Sequence, residues 1–195
     1  MKAARFHGRE DVRIEDVPEP RPGPGQVQVA VEWCGICGTD LHIFSGNQPY
    51  LSYPRVMGHE LSGIVEEAPA GGALSSGDPV YIVPYLSCGS CHACRQGKTN
   101  CCRNIQVLGV HRDGGMTEYL SLPERFVHKA EGISLDQAAM IEFMAIGAHA
   151  VRRSGVGTGQ RALVVGAGRL APESAYEKLM PPRGASAGPR DVADT

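Results

Sequence analysis

The sequence predicts a mainly β protein with some α, and three observations carry that reading. Apolar and polar residues alternate in short stretches between turn signals up to residue 130. Gly (25) and Pro (14) make up a fifth of the 195 residues, too many for a helical bundle and suited to a turn-rich β protein. A sustained helical pattern begins only after Ser134.

Taken in order, Val12–Val17 and Val27–Val31 have the period of half-buried strands. The segment between them, Pro18-Glu19-Pro20-Arg21-Pro22-Gly23-Pro24-Gly25, can be neither helix nor central strand. Leu61–Glu66 and Val80–Val83 are further strands, separated by turns at Gly71-Gly72 and Gly77-Asp78-Pro79. Leu86 to Arg103 is too rich in Cys, Gly and small polar residues for either regular element. Val107–Val110 and Thr117–Leu122 resume the strand pattern. Ser134 with Gln137 has capping-box spacing, and an apolar helix pattern runs through Ala138, Met140, Ile141, Met144, Ile146, Ala148 and Val151. Arg152-Arg153 suits the negative end of that helix, and Gly155 suits the position just past it. Arg161–Val165 reads as a buried strand entering Gly166-Ala167-Gly168. Beyond Gly168 the periodicity stops, and 172–195 is expected to be a disordered or non-native tail.

Composition narrows the function. Hydrophobic residues are 42% and charged residues 21%, as in an ordinary globular protein. A net charge of −2 supplies no basic field for nucleic acid or an anionic membrane. Met1-Lys2-Ala3-Ala4-Arg5 leads into no apolar signal segment, so a cytoplasmic location is expected. In that reducing setting seven cysteines point to metal or catalysis before disulfides.

Cys88-x2-Cys91-x2-Cys94-x7-Cys102 places four thiolates on one short loop, the ligand set of a closed structural zinc site. Cys101 competes with Cys102 as the fourth ligand, and spacing does not separate them. A disulfide pair suits the presumed compartment less well, and a Cys-x-x-Cys redox site lacks its βαβ context. A second constellation combines Cys37, Thr39 and His42 with Gly58-His59-Glu60. Thiolate, imidazole and carboxylate are the ligand types of a catalytic zinc with an open position. Glu142 interrupts the apolar stretch 138–146, where a carboxylate needs a partner, a metal or the helix surface.

These motifs, in this order and spacing, resemble the zinc-dependent medium-chain alcohol dehydrogenase family over roughly residues 1–168. Gly46-Asn47-Gln48-Pro49, Ser52-Tyr53-Pro54-Arg55-Val56 and Thr99-Asn100-Cys101-Cys102 are similar to the branch of sorbitol, L-galactonate and L-idonate 5-dehydrogenases. The resemblance implies a GroES-like β-barrel catalytic domain over 1–155, followed by the aborted start of a Rossmann α/β domain over 156–171. It implies two zinc ions: a structural one on Cys88, Cys91, Cys94 and Cys102, and a catalytic one on Cys37 and His59, with Glu142 as third protein ligand or neighbour through a water and Glu60 as an alternating ligand or a partner behind the ligands. Cys34 and Cys101 are left free.

In the implied chemistry the substrate is a small alcohol, polyol or sugar acid, and NAD or NADP accepts the hydride. Thr39 and His42 would carry the proton outward, although alone they read as a turn residue and a barrel-surface histidine. Two positions depart from the family. Ile43 stands where the sorbitol branch often has an aromatic residue, and Phe143 follows Glu142 where Pro is common. Gly166 and Gly168 match a Gly-x-Gly-x-x-Ala cofactor turn, yet no second strand with its acidic residue follows. A truncated, inactive form is therefore expected, with an exposed apolar face; intact relatives are expected to form homo-oligomers. The rival reading is a non-catalytic zinc-binding module. A zinc-ribbon nucleic-acid binder lacks the basic–aromatic patch that class needs.

Overall fold

The computed structural model describes residues 1–163. The chain divides into two units, the first spanning Met1–Glu142 and the second beginning at Phe143. The first unit is largely antiparallel β. Strands β1 (Lys2–Gly8), β2 (Asp11–Asp16) and β4 (Arg55–Val56) form a three-stranded sheet in the order β2-β1-β4. The main sheet has five strands in the order β10-β6-β5-β3-β9: β10 (Val127–Lys129), β6 (Pro79–Ile82), β5 (Glu60–Glu67), β3 (Gln26–Gly35) and β9 (Tyr119–Pro123). A small ribbon pairs β7 (Tyr85–Leu86) with β8 (Gln106–Val107).

Period-two alternation builds the core of the main sheet. Val27 and Val29 of β3 face Leu122 and Leu120 of β9, and Leu61 of β5 faces Ile82 of β6. All six are buried in one cluster with Val65, Val80 and Leu108. The register of β3 against β5 shifts between Gln28 and Val29 and again between Val31 and Trp33. Such bulges bend and twist a strand. The second shift lies just before Cys34 and Gly35, where β3 hands the chain to the site.

Four α-helices and two 3-10 turns, Thr99–Cys101 and Glu124–Phe126, accompany the strands among the described residues. The α-helices are α1 (Gly38–Phe44), α2 (His92–Arg95), α3 (Leu135–Ala139) and α4 (Ile141–Ser154). Helix α1 buries Asp40 and Ile43, and Ile43 joins Phe6, Met57 and Val110 in a second apolar cluster. Helix α3 packs on β3, β5 and β6, and the Ser62 hydroxyl of β5 donates to the Leu135 carbonyl.

Several expectations are met. The strands expected at Val27–Val31, Leu61–Glu66 and Val80–Val83 lie in β3, β5 and β6, each within a residue or a few of its bounds. The Ser134 N–H donates to Gln137 Oε1 at 3.2 Å, completing the expected capping box. Gly155 sits at φ +70°, the left-handed conformation of a residue just past a helix.

Others are corrected. Val12–Val17 is β2, but it is a sheet edge whose Ile14 is 70% exposed rather than a half-buried strand. The strand expected at Val107–Val110 ends at Val107, because the His111 ring accepts the Val107 N–H and Gly109 turns the chain at φ +76°. Leu86–Arg103 is not wholly irregular. Leu86 pairs in β7, His92–Arg95 forms one helical turn, and Thr99–Cys101 a 3-10 turn. The single helix expected after Ser134 is two, since the chain leaves α3 at Met140 before α4 begins. The apolar side of α4 is substantially exposed, with Met144 at 46% and Ile146 at 42%. Arg161–Leu163 carries no strand, and the expectations for 164–195, including Gly166 and Gly168, fall outside the described residues. No helix among the described residues is long and apolar enough to cross a membrane.

Candidate metal centres

At the C-terminal end of β3 the chain passes through Gly35 and Cys37 into α1, and β5 begins at Glu60 directly beside it. Gly35 pairs with Glu60 across the two strands. A Cβ on Gly35 would lie 2.1 Å from Glu60 Oε2, so only glycine lets this carboxylate sit where it does. Gly58, at φ +97°, turns the chain so that His59 and Glu60 follow as consecutive buried residues. One ligand-type atom from each of Cys37, His59 and Glu60 comes together, all within 4.8 Å of one another. His59 is 6% exposed and Glu60 0%.

The electrostatics fit a cation. The His59 ring beside Cys37 holds that thiol below its usual range, and Thr39 helps. Burial depresses His59, but its hydrogen bond with Cys37 and the charge of Asp40 outweigh that and raise it. Asp40 is itself buried, with its carboxyl pushed up by desolvation against the pull of the Cys37 N–H. Its Oδ2 accepts that N–H at 2.8 Å, while Oδ1 lies 3.8 Å from His59 Nδ1. Neither Asp40 Oδ1 nor His59 Nδ1 has a hydrogen-bond partner, although both are buried. Sulfur, nitrogen and oxygen donors gathered in a dry site, with two orphaned polar atoms behind them, suit a zinc-like ion. A carboxylate behind a ligating imidazole is the usual arrangement for fixing its orientation.

The other expected residues divide. Thr39 is half-buried next to Cys37, with Oγ1 3.8 Å from the sulfur. His42 is on the exposed side of α1 and outside the donor cluster. Glu142 is outside it too, although its charge reaches His59. The Tyr85 hydroxyl donates a hydrogen bond to Glu142 Oε1. Burial first, and that hydrogen bond second, raise the Tyr85 pKa, so the phenol remains a donor. Cys34 is not a cluster member; burial, then Asp40 and Glu60, push its thiol to about 12.

The second set is the cysteine loop. Sγ atoms of Cys88, Cys91, Cys94 and Cys102 also lie within 4.8 Å of one another. The Cys91 N–H donates to Cys88 Sγ and the Cys88 N–H to Cys102 Sγ, both at 3.3 Å. Backbone donors at Ser90 and Cys91 lower Cys88 to about 5. Cys101, the rival by spacing, is exposed and outside the set.

Sequence reasoning missed Asp40 and Tyr85. The first carries a signal, an acidic residue three after Cys37 at the spacing of a helix start. The second carries none, because it meets Glu142 across 57 residues.

Fold and donor sets together define an antiparallel β domain with two metal-competent clusters. The chain belongs to the alcohol dehydrogenase GroES-like domain family, whose pattern matches residues 23–132. It is 49% identical to L-galactonate-5-dehydrogenase of Escherichia coli (strain K12), over 77% of this chain and 45% of that protein. It superposes on the crystal structure of 2R,3R-butanediol dehydrogenase from Bacillus subtilis with a TM-score of 0.80 and 35% identity, covering 88% of this chain and 52% of that one. A short chain alcohol dehydrogenase (rspB) of E. coli CFT073, crystallised with its cofactor NADH, aligns with a TM-score of 0.74 and 36% identity over 80% of this chain and 46% of its own. The chain spans about half the length of the curated relatives it matches.

Proposed function

We propose that this chain is the catalytic-domain part of a zinc-dependent dehydrogenase that oxidises a secondary alcohol of a polyol or sugar acid, with NAD or NADP as hydride acceptor. The observation that carries it is the buried Cys37, His59 and Glu60 cluster. Cys37 and His59 would hold the catalytic ion, with Glu60 as a third or alternating ligand. Bound zinc supplies a Lewis acid that polarises the substrate hydroxyl. Asp40 Oδ1, 3.8 Å from His59 Nδ1, stands where it would take that N–H and steady the ring once the other nitrogen holds the ion. Thr39, whose Oγ1 lies 3.8 Å from the Cys37 sulfur, would take the hydroxyl proton, and His42, exposed on the same helix, would offer the next station toward solvent. Cys88, Cys91, Cys94 and Cys102 would bind a structural zinc, a closed site that orders the loop and does no chemistry.

In this reading 1–155 form the catalytic domain, and Gly166 and Gly168 open the cofactor domain. A Gly-x-Gly motif by itself does not make a dinucleotide site, so these 195 residues on their own are expected to bind metal without turning over alcohol. The identity with L-galactonate-5-dehydrogenase supports a sugar acid as substrate, and the butanediol dehydrogenase likeness supports a vicinal diol.

Metal analysis of the purified chain with a parallel NAD(H) titration tests this. Two zinc ions are expected, falling to one in His59→Ala. A single zinc retained equally by wild type and His59→Ala would overturn the catalytic centre. Saturable NAD(H) binding would show that the chain carries its own acceptor site; two zincs without it would favour the non-catalytic module.

A further inference from the structure

Tyr85 stands next to the proposed centre without a place in it. It opens β7 at the entrance to the cysteine loop, and its only side-chain hydrogen bond among the described residues goes to Glu142, on the first turn of α4. That contact ties two segments far apart in sequence, and it is also the single side-chain hydrogen bond that Glu142 makes there. Glu142 is half-buried and close enough for its charge to act on His59, yet its oxygens lie outside the Cys37, His59 and Glu60 donor set. The set already offers three protein ligands. A catalytic zinc site needs three and an open fourth position, whereas four protein ligands make it closed. A second carboxylate whose charge already acts on His59 would therefore compete for that position unless something restrains it.

We propose that Tyr85 is a positioning residue that holds Glu142 just outside the Cys37, His59 and Glu60 set and so keeps the fourth metal position open. The phenol occupies one lone pair of the carboxylate, weakening it as a ligand, and fixes its direction. Released, the carboxylate would lose the one side-chain hydrogen bond it makes among the described residues and be free to turn toward the ion. The inference rests on the metal reading proposed above and deepens it.

The test uses the 195-residue chain loaded with Co(II), whose d–d bands report coordination, with the spectrum of His59→Ala subtracted to remove the loop site. Azide is the probe of the open position. In Tyr85→Phe the bands are expected to change and azide to bind about tenfold or more weakly, a typical penalty for losing an outer hydrogen bond to a metal site. Adding Glu142→Gln to Tyr85→Phe is expected to restore both the bands and the azide affinity, which a general loss of packing at β7 would not do. Bands and azide affinity unchanged in Tyr85→Phe would overturn the tether. So would Glu142→Gln alone strengthening azide binding, because the carboxylate would then be a ligand already. Cobalt uptake at the cysteine loop alone would overturn the metal reading together with the tether, whereas two filled sites with an unaltered Tyr85→Phe overturn the tether by itself.

Discussion

In the cysteine loop four thiols come from residues 88–102 and are organised by their own backbone, whereas Cys37, His59 and Glu60 are brought together by the end of β3 and the start of β5. The loop set is partly exposed except for Cys102, and N–H groups of Cys88 and Cys91 point at its sulfurs. The other set has its histidine and glutamate buried, with Asp40 behind the imidazole. A loop with so little apolar burial cannot hold its shape by packing, so in the reading proposed above metal binding and folding would be coupled there. A cluster held between two strands of a packed sheet is largely formed before any ion arrives. On the proposed reading, the difference is between a site made by its ligand and a site made by the fold.

The largest expected effect comes from breaking the loop. Structural zinc contributes on the order of 10 kcal/mol of coupled binding and folding free energy in small zinc modules. Cys91→Ser is therefore expected to lose one zinc per chain and to speed trypsin cleavage at Arg95, Lys98 and Arg103, which are exposed already but sit in an ordered loop. The cobalt signal of the strand-held site should survive. Loss of both metals together, measured by elemental analysis and limited proteolysis, would show that the two sites are not independent.

A smaller effect is expected from the fold-made site. In Gly35→Ala the new methyl carbon would lie 2.1 Å from Glu60 Oε2 and 2.9 Å from Glu60 Cβ. The carboxylate must move, and it is fully buried. Overpacking of this kind costs about 1–3 kcal/mol. Displacing a residue that supports or ligates a metal weakens binding by about 10–100-fold. Urea unfolding and a competing-chelator titration should show both changes with the loop zinc undisturbed. Unchanged metal affinity would mean that Glu60 is not part of the donor set.

The same contrast explains what could be read from the chain. The loop is legible because its ligands are close in sequence and turn-forming residues separate them. Strands β3, β5 and β6 are legible because Val27, Val29, Leu61, Val65, Val80 and Ile82 obey a two-residue period. Strand β1 is not, since its buried residues Ala3 and Phe6 are three apart and the rest is small or polar. Helix α1 escapes for a similar reason: it starts at Gly38 and buries one apolar side chain, Ile43, beside one charged one. The break at Met140 has no Gly or Pro to announce it. Cys37, His59 and Glu60 are joined by their ligand chemistry and the family resemblance rather than by spacing, because 21 residues separate Cys37 from His59 and a strand pairing brings Glu60 beside Gly35.

The smallest expected effect settles the one choice that spacing leaves open in the loop. Cys101 and Cys102 are neighbours, so in a 3-10 turn that ends at Cys101 only one of them can face inward. Cys102 is buried and its sulfur accepts the Cys88 N–H, which fixes it against the first cysteine of the set. Cys101 is exposed, and its sulfur meets only the Asn100 amide, at 3.5 Å. An exposed thiol away from such features contributes little, within about 0.5 kcal/mol. Cys101→Ser is thus expected to keep both zinc ions and an unchanged thermal midpoint, while Cys102→Ser loses the loop metal as Cys91→Ser does. If Cys101→Ser lost zinc and Cys102→Ser kept it, metal binding would have to rotate the turn. The loop would then owe even its choice of ligand to the ion, which sharpens its difference from a cluster set between two strands.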